Sequence, residues 1–74
     1  MRTCWFVVIE SVGRWWVDCE GKTYGPFEGE REARTDAVRI AQAYGDPRRQ
    51  SVVYAPEPSH HHEPIWAGPL PQRR

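Results

Sequence analysis

Two apolar runs decide the fold of this chain, Trp5-Phe6-Val7-Val8-Ile9 and Trp15-Trp16-Val17, which are joined by Glu10-Ser11-Val12-Gly13-Arg14. Aromatic and β-branched residues are enriched in strands, and two such runs around a glycine-containing turn predict a β-hairpin. We therefore predict strands over residues 3–9 and 14–20. Both alternating sets of side chains are apolar, and a chain of 74 residues has little with which to cover two apolar faces.

The length of the turn sets which side chains of the hairpin face the core. A three-residue loop over residues 11–13 suits a type I turn followed by Gly13 in the left-handed conformation. This loop places Glu10 opposite Arg14, a favourable cross-strand charge pair of roughly 0.2–1 kcal/mol. The predicted inner face, which packs under the helix, carries Trp5, Val7, Ile9, Trp15 and Val17. The predicted outer face is centred on Phe6, Val8 and Trp16.

The two cysteines, Cys4 and Cys19, permit one disulfide. In the preferred register they point to opposite faces and cannot bond. A two-residue loop over residues 11–12 would set them opposite each other, but it would also set Ile9 opposite Arg14. We therefore expect two reduced thiols, in keeping with the cytoplasmic localisation expected of a chain with no signal-peptide pattern and no long apolar stretch.

The sequence that follows the hairpin, residues 23–55, predicts a third strand, one helix and a fourth strand. The run 23–27 contains Pro26, which cannot donate to a ladder, so this strand belongs at a sheet edge. Apolar residues over 30–44 recur at helical spacing, and Gly45 with a following proline ends the helix. A strand over 50–55 should lie parallel to the first after a right-handed crossover. The prediction is an α+β fold, β-β-β-α-β, with a single four-stranded mixed sheet in the order 3-2-1-4 and one helix packed on one face.

The composition divides the chain into a domain, residues 1–55, and a C-terminal tail rich in proline and histidine, residues 56–74. Three residues of the tail, Ile65, Trp66 and Leu70, are too apolar for an ordinary solvated segment. Burying Trp66 alone would contribute on the order of 1.5–3 kcal/mol. We expect this part of the tail to fold back as a strap over the outer face of the sheet, or to dock on a second copy of the chain.

The histidine run of the tail is the one cluster with metal-ligand chemistry. In an extended segment His60 and His62 project to one side, where together with a carboxylate they would offer an open site for a divalent ion. A fixed site also needs supporting contacts that a proline-flanked segment seldom provides. We therefore favour a solvated polar stretch, and the sequence predicts no metal and no other cofactor.

The spacing of the large core residues resembles a family of small bacterial domains of unknown function. The resemblance lies in Trp5-x-Val7, in Trp15-x-Val17, and in the interval of six from Phe27 to Ala33 that leads into the helix, followed by a valine-rich last strand. It covers roughly residues 3–54 and consists of core positions. Because that family is itself uncharacterised, the resemblance implies the fold and no particular activity.

The charge and the motifs of the chain argue against several classes of function and point directly to none. Ten basic and ten acidic residues give a formal net charge of zero, so attraction to nucleic acid or to an anionic membrane is not built in. No serine or cysteine can be matched with a catalytic base, and we expect no enzymatic activity.

The function that the sequence favours is that of a non-enzymatic interaction module. We expect it to present an aromatic outer sheet face to its own tail, to a second copy or to a protein partner, through Phe6, Val8, Trp16 and Trp66. The alternative is single-stranded nucleic-acid binding, in which bases stack on the aromatic side chains of the same face.

Overall fold

The computed structural model describes residues 3–55 and 64–71, which form one α-helix and a five-stranded mixed sheet. The strands are β1 (Cys4–Ser11), β2 (Arg14–Cys19), β3 (Lys22–Phe27), β4 (Ser51–Tyr54) and β5 (Trp66–Ala67), and the helix is α1 (Glu30–Tyr44). The strand order is β3-β2-β1-β4-β5. The α+β class is therefore confirmed, and the predicted count of four strands is wrong, because part of the tail adds a fifth.

The topology of the first four strands follows the predicted order. β1 and β4 are parallel, as a crossover through the helix requires, and the other neighbouring pairs are antiparallel. β3 lies at the sheet edge, where Pro26 needs no partner for its missing N–H group. No helix in the described part of the chain is long and apolar enough to cross a bilayer.

The helix has the predicted bounds and packs on the sheet through small side chains. Its buried residues are Ala33, Ala37 and Ala41, which recur once per turn along one stripe. Alanine has no bulk beyond its Cβ, so the helix can lie close to strands whose large side chains fill the space below it. Beside this stripe, the half-buried Arg34 guanidinium donates to Glu30 at 2.9 Å, one turn earlier.

The hairpin register differs from the predicted one by a single residue. β1 and β2 are joined by a two-residue loop, Val12-Gly13, and Ser11 lies opposite Arg14. Both loop residues have positive φ angles, 55° and 71°, as in a type I′ turn, whose twist matches that of the flanking strands. The predicted pairing of Glu10 with Arg14 is therefore wrong, since Glu10 lies opposite Trp15.

A shift of one residue turns every side chain of β1 to the other face of the sheet. Phe6 and Val8, each 1% exposed, lie under the helix next to the fully buried Val17. Their predicted place on the outer face is therefore wrong, as is the predicted inner face of Trp5, Val7 and Ile9. On β2 the inner positions are as predicted, with Trp15 and Val17 packed in or against the core.

The described part of the tail lies along the edge of β4. The backbone N–H of Ile65 donates to the Val53 carbonyl at 2.8 Å, and that of Gly68 donates to the Ser51 carbonyl at 2.8 Å. Trp66 is paired with Val53, whose side chain is buried on the helix side, and it packs against the core from there. The strap predicted to cover the outer face is therefore not seen in residues 64–71, which extend the sheet sideways instead.

The loop residue Val12 carries a backbone cost that a substitution should relieve. It is 93% exposed, and its φ of 55° is a conformation in which a β-branched residue is strained. Asparagine tolerates this conformation and is favoured before glycine in a type I′ turn. We expect Val12→Asn to stabilise the protein by about 1 kcal/mol, measured by urea denaturation.

A matched variant separates this backbone effect from the loss of an exposed apolar side chain. Val12→Ala removes the same apolar bulk but keeps a residue that disfavours positive φ, so its gain should be clearly smaller. Equal stabilities of the two variants would argue against the type I′ loop.

Candidate interaction surface

The face of the sheet opposite the helix carries a continuous set of apolar side chains. Strand alternation and the observed register assign to it Trp5, Val7, Ile9, Trp16, Val52 and Tyr54. We call these six residues the outer face. The helix and the buried core lie on the other side, and no described element packs across these six side chains.

An aromatic pair, made of the exposed Trp5 and the half-buried Tyr54, lies at the centre of the outer face. The rings of Trp5 and Tyr54 meet edge to face, with centroids 6.3 Å apart and planes at 86°. Trp5 lies opposite Val52 on the neighbouring parallel strand, and Val52 is 6% exposed. Trp5 itself remains 49% exposed, which is unusual for tryptophan in a small domain with so few apolar residues.

The second part of the outer face is Trp16, which lies opposite Ile9. Its indole Nε1 donates to the Ser11 carbonyl at 3.0 Å, which holds the ring near the hairpin turn. On the other side the ring approaches Gly25 so closely that a Cβ there would lie 3.2 Å from the Trp16 Cε3 atom. Gly25 also has a φ of 133°, so both its conformation and its close neighbour require glycine.

Charged residues on β2 flank Trp16 on the same face. Arg14 precedes it by two residues and is exposed, and Asp18 follows it by two residues. Asp18 accepts a hydrogen bond from the Thr23 hydroxyl at 3.4 Å on β3. Four residues of strand separate the two charges by about 13 Å. The strand thus presents a basic end and an acidic end, with an indole between them.

A second arginine, Arg49, lies at the end of the sheet where β1 begins and β2 ends, and it forms contacts within the fold. The Arg49 guanidinium donates to the Thr3 carbonyl at 2.9 Å and forms an ion pair with the Glu20 carboxylate. The hydrogen bond to Glu20 raises the pKa of Arg49 above its usual value. These contacts tie β1, β2 and the segment before β4 together, so the Arg49 guanidinium already has partners within the fold.

The structure separates the four residues that the sequence assigned to one partner-binding surface. Phe6 and Val8 are core residues, Trp66 lies on the helix side, and Trp16 lies on the outer face. Trp66 lines a groove of about 530 Å³ between the end of the helix and residues 66–71, and this groove is separate from the outer face. The candidate ligands His60 and His62 lie outside the described residues.

The hairpin residues that sequence reasoning missed on this surface are Trp5, Val7 and Ile9. The signal for them was present, because a hairpin with two apolar faces must leave one set of its side chains away from the helix. The pattern alone could not say which set. Within residues 3–55 and 64–71, no three side chains of the metal-binding types come together in a possible ion site.

Comparison of the chain with models of protein families, with curated proteins and with solved structures found no match. The resemblance to a family of small bacterial domains therefore stays a prediction.

Proposed function

We propose that this protein is a non-enzymatic interaction module whose outer face packs against the outer face of a second copy. The observation that carries the proposal is the aromatic pair of the exposed Trp5 and the half-buried Tyr54, at the centre of an apolar sheet face that no described element covers. Sheets that pack face to face lie about 10 Å apart and interdigitate side chains of this kind.

The charges on β2 favour a second copy over an unrelated protein. A two-fold axis that lies in the interface and runs across the strands would set the Arg14 end of one copy over the Asp18 end of the other. The same patch would thus be electrostatically complementary to itself, with two equivalent ion pairs around the Trp16 rings. A formal net charge of zero also means that two copies do not repel each other at long range.

The size of the face predicts a weak, reversible dimer. Five strands spaced about 4.8 Å apart, with a mean length of about five residues, cover on the order of 400 Å² per copy. Stable complexes bury about 800 Å² per partner, so this interface falls below the size of a stable complex and within the range of weak, transient contacts. Association should therefore depend strongly on protein concentration.

Single-stranded nucleic acid is a less favoured ligand for the same face. The aromatic side chains would suit base stacking, but a nucleic-acid binder also needs a basic stripe along the backbone path. Here Arg14 is balanced by Asp18 on the same strand, and Arg49 is paired with Glu20. The charge pattern thus suits an identical face better than a polyanion.

A charge exchange on β2 tests the proposed dimer. Asp18→Arg would set like charges over each other at both symmetric contacts, and we expect the dimer dissociation constant to rise about tenfold. The double variant Arg14→Asp with Asp18→Arg restores opposite charges in the reversed sense and should recover most of the affinity. Sedimentation equilibrium over a wide concentration range measures all three proteins, and far-UV circular dichroism verifies their folds.

Two results would contradict the proposal. One is a wild-type protein that stays monomeric at every concentration. The other is a salt-dependent change of tryptophan fluorescence on titration with short oligonucleotides, which would favour nucleic-acid binding instead. A double variant as weak as the single one would exclude the antiparallel arrangement of the two β2 strands.

A further inference from the structure

The two cysteines of the chain lie next to each other beneath the sheet. The Sγ atoms of Cys4 and Cys19 are 3.8 Å apart, and both cysteines are free thiols. The predicted arrangement, with the two thiols on opposite faces, is wrong, because the one-residue shift of β1 turns Cys4 to the inner face that Cys19 already occupies. Both lie beyond the last β1–β2 pair, Val7 with Asp18.

We propose that Cys4 and Cys19 form a reversible intrachain disulfide, and that the pair is a site of thiol–disulfide exchange with small-molecule disulfides such as oxidised glutathione. An S–S bond is about 2.0 Å long, so the two sulfur atoms must approach each other by just under 2 Å. Cys4 is paired with Ser51 and Cys19 with Lys22 in the neighbouring ladders, so this approach must come mainly from rotation of the two side chains.

The difference in accessibility sets the order of the reaction. Cys4 is 4% exposed, whereas Cys19 is only partly buried, so an external disulfide reaches Cys19 first. The Cys19 thiol loses its proton to solvent, and the thiolate attacks one sulfur of oxidised glutathione. A mixed disulfide forms on Cys19, and one glutathione thiolate leaves.

The second step closes the intrachain bond. The Cys4 thiol loses its proton to solvent, and its thiolate attacks the Sγ atom of Cys19 from the adjacent position. The Cys4–Cys19 bond forms, and the second glutathione thiolate leaves. Two protein thiols are thus oxidised to one disulfide, and one external disulfide is reduced to two thiols. An excess of reduced glutathione runs the same steps backwards.

The surroundings of Cys19 make the first step slow at neutral pH. Burial and the hydrogen bond with Cys4 raise the pKa of the Cys19 thiol to about 12. The neighbouring Glu20 carboxylate contributes to this raised pKa, and the Arg49 guanidinium opposes it. Because only the thiolate attacks, the rate should rise about tenfold for each pH unit between pH 7 and pH 9. The pair would therefore respond to sustained oxidation and not to brief exposure.

Mass spectrometry of the native full-length chain after incubation with oxidised glutathione tests the proposal. The wild-type protein should lose two hydrogen atoms and carry no adduct, and dithiothreitol should reverse the change. The Cys4→Ser variant should stop at the mixed disulfide, heavier by one glutathionyl group. The Cys19→Ser variant should stay unmodified, because its remaining thiol is buried.

Three outcomes would overturn the proposal. A wild-type protein that accumulates a stable glutathione adduct would show that Cys4 cannot reach Cys19. Disulfide-linked dimers without an intrachain bond would show the same. If the wild-type thiols remain fully titratable at pH 9 after prolonged exposure to oxidised glutathione, the pair is not an exchange site. Intact folding of both serine variants is verified by their far-UV circular dichroism.

Discussion

The variant Phe6→Ala should lose about 3–5 kcal/mol of unfolding free energy, whereas Trp5→Ala should lose no more than about 1.5 kcal/mol. Phe6 is 1% exposed between the helix and the neighbouring strands, so its removal leaves a cavity in the core. Trp5 is 49% exposed and loses chiefly its edge-to-face contact with Tyr54. Urea denaturation followed by far-UV circular dichroism measures both, since this signal does not depend on the mutated tryptophan.

This pair of variants reports directly on the hairpin register. A domain of this size has a total stability of about 5–10 kcal/mol, so Phe6→Ala removes much of it. The milder Phe6→Leu, with an expected loss of about 1–2 kcal/mol, keeps the comparison measurable if the alanine variant does not fold. A larger loss for Trp5→Ala than for Phe6→Ala, or a Trp5→Ala loss above about 3 kcal/mol if the Phe6 alanine variant does not fold, would mean that the three-residue loop and its register are correct after all.

Gly45→Ala should lose about 1–3 kcal/mol, although the backbone of Gly45 is not strained. Its φ is −65°, which any residue adopts, so the expected loss is due to space alone. A Cβ at Gly45 would lie 2.5 Å from the Ala41 carbonyl oxygen and would also clash with the Ser51 hydroxyl. The hydroxyl can rotate away, but the carbonyl belongs to the helix and already accepts the Gly45 N–H at 3.0 Å.

The control for this prediction is Gly29→Ala at the other end of the helix. Gly29 precedes the helix in an extended conformation, and a Cβ there would meet no atom within 4 Å. Alanine is a poorer N-cap than glycine, so a loss below about 1 kcal/mol is expected. Thermal and urea denaturation compare the two variants. Equal losses would mean that the helix end does not pack closely against the start of β4.

The helix could be predicted to the residue because its signals are local. Ala33, Ala37 and Ala41 recur at helical spacing, and a glycine followed by a proline two residues later ends the pattern. The signal for the edge position of β3 was also local, since a proline has no N–H group and is excluded from a central strand. The helix bounds and the edge position of β3 depend on the backbone of a few neighbouring residues, so they are the same whichever way the strands of the hairpin are paired.

The register of the hairpin was not predictable in the same way. Alternation selects a face only when one set of side chains is apolar and the other polar, and in β1 both sets are apolar. The turn then decides, and here it depends on Val12 taking a conformation that β-branched residues rarely adopt. The conformational strain at Val12 is offset by packing in the core. In the observed register Phe6 and Val8 lie under the alanine-lined helix, and the larger Trp5 lies on the opposite face of the sheet.

The candidate surface depended on contacts between distant segments. Trp5 and Tyr54 meet only because β4 returns beside β1, and the tail adds β5 through two residues that carry no strand pattern of their own. The amino-acid sequence by itself determined the hairpin, the helix and the excess of apolar surface. Only the tertiary structure decided which face of the hairpin lies away from the helix and that the two thiols meet, because both depend on a one-residue register that the packing of the whole sheet selects.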